Sequence, residues 1–186
     1  MTGTSFETYL LAIIANIMMA QTVLHNSMED AMGASVGQTS QYEPAVIYDG
    51  VSMYHMIFCS QDSSNRLLYC NSKDGENWNY VGQIAGDTTG SSPAIALSQS
   101  PSFSGPPNPN FLVAIYRAND PSNRILYSTL NINDMYAGWV DGGQVGNESA
   151  KWISALARQG QRAVTLYYLS NDPSNRILWT QFTPAG

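Results

Sequence analysis

Basic residues are scarce in this sequence: Lys and Arg together number 8 against 14 Asp and Glu, and none occurs before Arg66. Nucleic-acid binding depends on clustered Lys and Arg that neutralise phosphates, so a formal net charge of −6 removes DNA and RNA from the leading partners. Charged residues of both signs make up only 12% of the 186 residues, while 44% are hydrophobic, which predicts a folded chain. The length fits one domain plus a short appendage.

Cysteine is nearly absent as well. If the segment between Cys59 and Cys70 forms a hairpin that turns near residues 63–65, Cys59 lies opposite Leu67 and Cys70 lies opposite Met56. A disulfide between the two cysteines would then be out of register, and we predict two free thiols. The cysteines therefore do not indicate whether the protein works in an oxidising or a reducing compartment.

No hydrophobic run is long enough to cross a bilayer, because Tyr9–Ala20 falls short of the roughly 20 residues required. A signal peptide is not expected without a basic n-region, so the localisation, secreted or cytoplasmic, stays open. Thr4-Ser-Phe-Glu7 matches a capping box, and apolar residues recur at spacings of four and three from Phe6. We predict a helix over 6–32 within an N-terminal domain of residues 1–33. Its role is either oligomerisation, by packing against a partner helix, or packing against the protein body.

Beyond Gly33 the chain becomes rich in Ser, Asn, Gly, Pro and aromatic residues, which is typical of an all-β domain. One segment occurs three times, at intervals of 58 and 52 residues: Asp62-Ser-Ser-Asn-Arg66-Leu-Leu-Tyr69, Asp120-Pro-Ser-Asn-Arg124-Ile-Leu-Tyr127 and Asp172-Pro-Ser-Asn-Arg176-Ile-Leu-Trp179. These intervals lie slightly above those of familiar β-propeller blades.

Each repeat divides into four predicted strands, of which the third begins at the Arg of the repeated segment. The third repeat ends before its fourth strand, and Val36-Gly37-Gln38 resembles the Val81-Gly82-Gln83 segment of a fourth strand. We therefore predict that residues 34–186 form three four-stranded blades, with the fourth strand of the last blade at the front. Three blades fall below the usual minimum of about four, so a homodimer that forms a six-bladed ring is predicted.

The repeats resemble those of sialidase-like (Asp-box) β-propellers and of the fucose-lectin propellers of bacteria and fungi, some of which build six blades from short chains. The resemblance covers about residues 34–186 and rests on Pro-Ala-x-Ala, a strand ending in Tyr116-Arg117, Asn-Arg-Ile-Leu-Tyr-Ser and a following Trp. The segment Ser72-Lys-Asp74-Gly75-Glu-Asn-Trp78 is similar to the Asp-box, although it is one residue short and lacks the Thr.

The resemblance to sialidases implies a site with three arginines, a Tyr nucleophile with its Glu and an Asp acid/base. Outside the repeated loops the arginines are only Arg117, Arg158 and Arg162, and no Glu–Tyr pair can be assigned. The repeated acids would share similar environments, whereas glycosidases need two unlike carboxyl groups. No catalytic residue is therefore predicted. His25 and His55 are isolated, which gives no support for a metal site, and no cofactor is implied.

The resemblance to lectins implies a multivalent glycan-binding module, and sugar sites need only aromatic faces and a few fixed polar groups. The repeated loops share a rim with the connections between blades, in which Tyr42 and Trp152 match each other and Ser91. The candidate ligand-binding residues are Asp62, Asn65, Arg66, Asp120, Asn123, Arg124, Asp172, Asn175, Arg176, Tyr42 and Trp152.

Other interpretations remain open. The repeated loops could be structural turns in which Arg pairs with Asp. Tyr69, Tyr127 and Trp179 are predicted to lie in the core or between blades. The alternatives to a lectin are a propeller that binds protein, a sialidase-like hydrolase, and a membrane-active or assembly protein that uses its N-terminal helix. Membrane contact is expected only through glycans or that helix.

Overall fold

A computed structural model describes residues 38–98, 111–157 and 162–184. The predicted N-terminal helix lies outside these ranges, and so do the functions that depend on it, which stay predictions. The regular structure in the described ranges is β-strand, with one short 3₁₀ turn at Met135–Ala137. No helix in this part of the chain is long and apolar enough to span a membrane.

The first repeat folds into an antiparallel four-stranded sheet, here called unit 1. Its strands are β1 (Ala45–Tyr48), β2 (Tyr54–Cys59), β3 (Arg66–Ser72) and β4 (Asn79–Thr88), and they lie side by side in chain order. Runs of apolar and aromatic residues form the strands, and clusters of Asp, Ser, Asn and Gly form the turns between them. These bounds confirm the predicted division of the repeat into four strands.

Units 2 and 3 share a six-stranded sheet. Its strands are β5 (Ala94–Ser98), β6 (Phe111–Arg117), β7 (Arg124–Asn131), β8 (Trp139–Ala157), β9 (Val164–Ser170) and β10 (Ile177–Phe182). The first part of β8 pairs with β7 and its last part pairs with β9, so β8 is both the fourth strand of unit 2 and the first strand of unit 3. Within the described residues, β10 is the edge of the sheet and has no fourth strand beside it.

The core lies between neighbouring units. Side chains alternate along each strand, so each unit presents one row of residues to the unit before it and another row to the unit after it. Between units 1 and 2 the buried residues are Ile57, Leu67, Tyr69, Ile84, Ile95, Leu112, Ala114, Tyr116 and Leu130. Between units 2 and 3 they are Ala94, Ala96, Val113, Ile115, Ile125, Tyr127, Val145, Ala150, Val164, Leu166 and Tyr168. The burial of Tyr69 and Tyr127 confirms their predicted packing between repeats.

The third member of that series behaves differently. Trp179 is 64% exposed, whereas Tyr69 and Tyr127 are 1% and 7% exposed. Ile177 is 79% exposed, whereas its repeat equivalents in β3 and β7 are fully buried. The predicted core position of Trp179 is therefore wrong for the single chain, because no further unit follows unit 3 within the described residues.

The two cysteines lie as predicted. Cys59 pairs with Leu67 and Cys70 pairs with Met56 across the hairpin of β2 and β3. Both cysteines are buried free thiols, and burial raises the pKa of Cys59 to about 11. A buried thiol with a raised pKa is poorly reactive, so these residues fill space in unit 1.

The turn between β3 and β4 contains the segment that is similar to the Asp-box. Asp74 Oδ1 accepts hydrogen bonds from the backbone N–H groups of Glu76 and Asn77 at 2.9 and 2.8 Å. Trp78 donates its indole N–H to the carbonyl oxygen of Gly75 at 2.9 Å and packs on the hydrophobic cluster of unit 1. These contacts close the hairpin, which is a structural role.

An equivalent isolated backbone pairing precedes the first strand of units 1 and 2. Ser40 pairs with Ser60 before unit 1, and Thr89 pairs with Ala118 before unit 2. Thr89 follows directly on β4, the fourth strand of unit 1. Residues 38–39 therefore occupy the position from which a fourth strand would lead into unit 1.

The register of this segment differs from the predicted match of Gln38 with Gln83. Gln38 lies two residues before Ser40, whereas Gln83 lies six residues before Thr89. When the two segments are aligned on these pairings, Gln38 is equivalent to Asp87, which lies four residues after the predicted equivalent Gln83. Val36 and Gly37 lie outside the described ranges.

Candidate functional site

The three repeated loops form the tips of the hairpins β2–β3, β6–β7 and β9–β10, and an Asp organises each of them. Asp62 Oδ1 accepts the backbone N–H of Ser64 at 3.0 Å, the hydroxyl of Ser60 at 2.8 Å and the hydroxyl of Ser64. The corresponding backbone bond is 2.8 Å long at both Asp120 and Asp172. The Asp side chain thus fixes the turn in every repeat.

The Arg of each loop is oriented by the same Asp. The distances from Nη2 to the Asp Oδ2 are 2.8 Å for Arg66, 3.3 Å for Arg124 and 3.0 Å for Arg176. The Nε of each Arg donates to a Ser hydroxyl in its own loop at about 3 Å. The Arg–Asp pairing that the sequence left open as a structural role is therefore present in all three loops.

Binding capacity remains after these contacts are made. About half or more of each Arg side chain is exposed. A guanidinium carries five N–H donors, and within the described residues Nη1 of these three arginines has no hydrogen-bond partner. The loops thus present three similarly held guanidinium edges to solvent.

The pKa values of the loop carboxyl groups lie below the ordinary range. Hydrogen bonds from the loop serines and then from the Arg lower the pKa of Asp62 and Asp172, and those from Ser122 have the largest effect on Asp120. All three carboxylates are fully ionised near neutral pH. A neutral sugar hydroxyl or a cation could be accepted at these oxygens, while an anion could approach only at the arginines.

The Asn of the first two loops joins its loop to the connection that leads into the next unit. Asn65, Asn123 and Asn175 have φ values of 50°, 52° and 50°, a left-handed conformation that Asn tolerates better than most residues. The carbonyl oxygen of Asn65 accepts the N–H of Thr89, and that of Asn123 accepts the N–H of Ala150, both at 2.9 Å. The loops and the connections between units therefore share one rim, as predicted.

A cavity of about 340 Å³ opens on this rim between units 2 and 3. Its polar lining includes Asn147, Glu148, Ser149, Tyr168, Asn171 and Asp172. Tyr168 donates its hydroxyl to the Glu148 carboxylate, and burial together with this carboxylate raises the pKa of Tyr168 to about 12. The cavity thus combines amide, hydroxyl and carboxylate groups beside a repeated loop.

An equivalent acid lies between units 1 and 2. Asp87 accepts the hydroxyl of Ser128 at 2.7 Å, and Ser128 is in turn 3.3 Å from the hydroxyl of Tyr116. Sequence reasoning missed both acids, because each one meets the next unit at a separation of 20 to 41 residues. Both acids lie two residues before the residue that joins one unit to the next, Thr89 or Ala150, and this shared position is the sequence feature that would have identified them.

Tyr42 and Trp152 do not occupy matching positions. Ser154 pairs with Tyr167 as Ala94 pairs with Ile115, so Ser154 is equivalent to Ala94 and not to the preceding Pro. The connection into unit 3 is one residue shorter than the other two, which places Trp152 at the position of Glu43 and Ser92. The predicted equivalence is therefore wrong by one residue. Tyr42 is half-buried, and Trp152 is exposed.

The arrangement does not favour hydrolase chemistry. Tyr168 and Glu148 form a Glu–Tyr contact that could not be assigned from the sequence, and the raised pKa of Tyr168 keeps its hydroxyl protonated near neutral pH. Arg117 donates to the backbone carbonyl oxygens of Gly90 and Lys151, so it is used in joining the connections. Arg158 lies outside the described ranges. Among the residues that are described, no three His, Cys, Asp or Glu side chains lie close enough to hold a metal ion.

No protein-family model and no curated protein matches this sequence. Solved structures do resemble it in fold. The Aleuria aurantia fucose-recognising lectin, a six-bladed β-propeller, matches with a TM-score of 0.53 and 18% identity over 77% of this chain and 43% of the lectin. This likeness shows a β-propeller fold.

Two further solved structures are similar to this chain in fold. An arginine-to-alanine triple mutant of AofleA from Arthrobotrys oligospora has a TM-score of 0.54 and 14% identity, over 75% of this chain and 38% of that one. A fucose lectin from Kordia zhangzhouensis, solved with methyl-fucoside, has a TM-score of 0.50 and 14% identity, over 77% of this chain and 94% of that one. This β-propeller chain thus spans about two fifths of the length of the two fungal proteins.

Proposed function

We propose that this protein is a carbohydrate-binding lectin with repeated glycan sites on the rim that carries the three Asp-x-Ser-Asn-Arg loops. The observation that carries the proposal is the threefold presentation of half-exposed guanidinium groups, each held by an Asp and a Ser. The fold shared with fucose lectins supports it. No titrating catalytic pair is required for such binding.

The chemistry of the rim suits a sugar. Arg66, Arg124 and Arg176 offer N–H groups at fixed angles to ring hydroxyls or to the carboxylate of an acidic sugar. The ionised Asp side chains can accept hydrogen bonds from hydroxyl groups. The indole of Trp152 is exposed near the same rim and offers an apolar face to the C–H surface of a sugar ring.

An open cavity lies beside Asp172 in the third of these loops. Asn171 and Asp172 line it from the repeated loop, and Glu148 lines it from the strand of the preceding unit. Asn123 donates its amide N–H to Asn171 Oδ1 at 3.2 Å, so two neighbouring loops are fixed relative to each other. A fixed set of polar groups limits the entropy lost when a ligand binds.

Repetition adds avidity to sites that are weak singly. Several sites on one rigid rim can bind a branched or clustered glycan together, and the combined affinity can exceed a single affinity by about 10²- to 10⁴-fold. The rim differs in detail between units, since the connection into unit 3 has one residue fewer. We therefore expect the sites to differ in affinity.

A second copy of the chain completes the ring in this proposal. Tyr167, Ile177 and Trp179 on the outer face of unit 3 are exposed, although their repeat equivalents are buried against the next unit. On the opposite end, Val46 and Tyr48 of unit 1 are exposed, whereas Ile95 at the position of Val46 is buried. The two exposed apolar faces match the two sides of a normal junction between units, so a homodimer closes six units.

The N-terminal segment can supply the absent strand of that junction. Thr88 pairs with Arg66 and Ser149 pairs with Arg124 at the ends of the fourth strands. By the same register, Thr39 of one copy would pair with Arg176 of its partner. This exchange gives β10 a neighbouring strand, which protects that edge against uncontrolled strand pairing.

A glycan array with purified protein tests the function. We expect binding to neutral or acidic glycans, and we expect it to be lost when Arg66, Arg124 and Arg176 are all replaced by Ala. Lys73→Ala, at an exposed cation in the opposite turn, is the matched control and should bind normally. The thermal midpoint of the triple variant should change little, since solvent-exposed ion pairs contribute little to the free energy of unfolding. An array silent for the unmodified protein would contradict the proposal, and a large loss of stability in the triple variant would assign these arginines to loop structure.

A further inference from the structure

A second cavity lies at the other ends of the strands. It measures about 250 Å³ and is formed by the β1–β2 hairpin of unit 1 and by the segment after β7 of unit 2. Its lining includes Asp49, Val51, Met53, His55, Ile132 and Met135. None of the loop residues proposed above contributes to it, so it is a separate feature of the molecule.

His55 is the unusual group in this cavity. It is fully buried, and its Nδ1 is 2.7 Å from the hydroxyl of Tyr69. Its Nε2 has no hydrogen-bond partner among the described residues, and Asp49 Oδ2 lies 3.6 Å away, which is too long for a good hydrogen bond. A buried polar atom without a partner is unfavourable, so a ligand that supplies the partner is favoured.

Asp49 is held in place by the hairpin. Its Oδ1 accepts the backbone N–H groups of Val51, Ser52 and Met53 at 2.7, 2.8 and 3.1 Å. Oδ2 is the oxygen that faces His55. The 3.6 Å between Asp49 Oδ2 and His55 Nε2 suits one bridging hydroxyl oxygen. Because Nε2 is closed off from solvent in this structure, a ligand reaches it only by displacing the hairpin that carries Asp49.

The charge of the cavity selects the ligand class. Burial lowers the pKa of His55, which favours the neutral ring, although Asp49 opposes this shift. Asp49 is the only acid in the lining, and the lining contains no Lys or Arg. An anion is thus disfavoured, while a hydroxyl can donate to Asp49 and share a hydrogen bond with His55. Val51, Ile132 and Met135 give apolar walls for C–H groups.

The polar pair is specific to unit 1. The register of the sheets places Val113 of unit 2 at the position of His55, and that residue is buried as well. The fold therefore does not need a polar residue at this position. The cavity of about 250 Å³ is larger than a bridging water needs, since a water occupies about 30 Å³ in the liquid. The same cavity is small for a drug-sized molecule.

We propose that this cavity binds a single neutral sugar ring or a small polyol, one hydroxyl of which bridges Asp49 and His55. The site is independent of the arginine rim, and it gives unit 1 a binding specificity that the other two units lack.

The test uses the full chain with ¹⁵N-labelled histidine and follows the ring nitrogens by NMR. His25→Gln assigns the two histidines. The probes are methyl α-L-fucoside, methyl β-D-galactoside, methyl α-D-glucoside and glycerol, each added separately. We expect at least one probe to shift the His55 Nε2 signal saturably, with a dissociation constant in the millimolar range or tighter.

Two variants keep the result interpretable. Asp49→Asn retains an acceptor for the hairpin but replaces Oδ2 by an N–H donor, and we expect it to weaken binding at least tenfold. His55→Val combined with Tyr69→Phe reproduces the apolar residue of unit 2 without leaving the Tyr hydroxyl unpaired. Since it lacks the reporter ring, its binding is followed by saturation transfer to the ¹H signals of the probe, and this transfer should be lost while the chain stays folded.

Two results would overturn the proposal: no probe shifts the His55 signal, or the shifts persist unchanged in Asp49→Asn. The variant with Arg66, Arg124 and Arg176 replaced by Ala should keep the His55 response. That response therefore fails or survives separately from glycan binding at the rim.

Discussion

The face of unit 1 that meets unit 2 and the outer face of unit 3 carry similar residues at equivalent positions. Leu67 and Tyr69 are buried in the first, and Ile177 and Trp179 are exposed in the second. Local sequence and strand pairing are nearly the same in both, so the difference arises from what lies opposite. A β-strand surface of this composition is built to be covered, and only in unit 3 does the described part of the chain leave it uncovered.

The same substitution at two equivalent positions gives the strongest test of the difference between a buried inner face and the exposed outer face. Ile125→Ala removes a fully buried side chain between units 2 and 3 and should cost about 2–5 kcal/mol of unfolding free energy. Ile177→Ala should cost under about 0.5 kcal/mol in dilute, monomeric protein, because its side chain is exposed there. Urea unfolding measures both values. Equal losses in dilute protein would mean that the outer face is already covered within one chain.

The loops provide a smaller test, in which inner and outer units should agree. Val at position 123 or 175 must adopt a left-handed backbone, so Asn123→Val and Asn175→Val should each cost about 1–3 kcal/mol. Asn→Gly at the same positions accepts this φ and serves as the control. Thermal unfolding checks the values. A tolerated Val at either position would show that the left-handed turn is not required there.

The smallest expected effect concerns pH. The folded-state pKa values of Asp62, Asp120 and Asp172 are lowered, so their stabilising contribution is present above the unfolded pKa of about 3.9 and is lost as the pH falls through the lower folded pKa. The thermal midpoint should therefore decrease below about pH 4. The decrease should be shallower when all three Asp are replaced by Asn, and equal slopes would contradict the assigned hydrogen bonds.

Much of the fold could be predicted from the sequence because the same Asp-to-Arg segment occurs three times and marks the turn of a hairpin each time. The Asp and Arg of each loop fixed the hairpins, and with them the pairing of Cys59 with Leu67. The match of Trp152 with Tyr42 failed because a deletion of one residue in an irregular connection leaves no trace in composition. Pairing with Tyr167 was needed to locate it.

The candidate site was only partly accessible from sequence. The repeated loops identified Asp172 and its rim, but Asn171 was not among the predicted residues. Glu148 reaches that rim from another unit, and its contact with Tyr168 depends on how units pack. His55 looked isolated for the same reason, since its partner Tyr69 lies on the neighbouring strand and its cavity is closed by unit 2.

The mass of the protein in solution, measured by light scattering at micromolar concentration, tests the ring most directly. We predict twice the 20.3 kDa of one chain, and a shift towards the single-chain mass for Trp179→Asp, which places a charge on the outer face of unit 3. A mass of 20.3 kDa for the unmodified protein, that of a single chain, would contradict the dimeric ring.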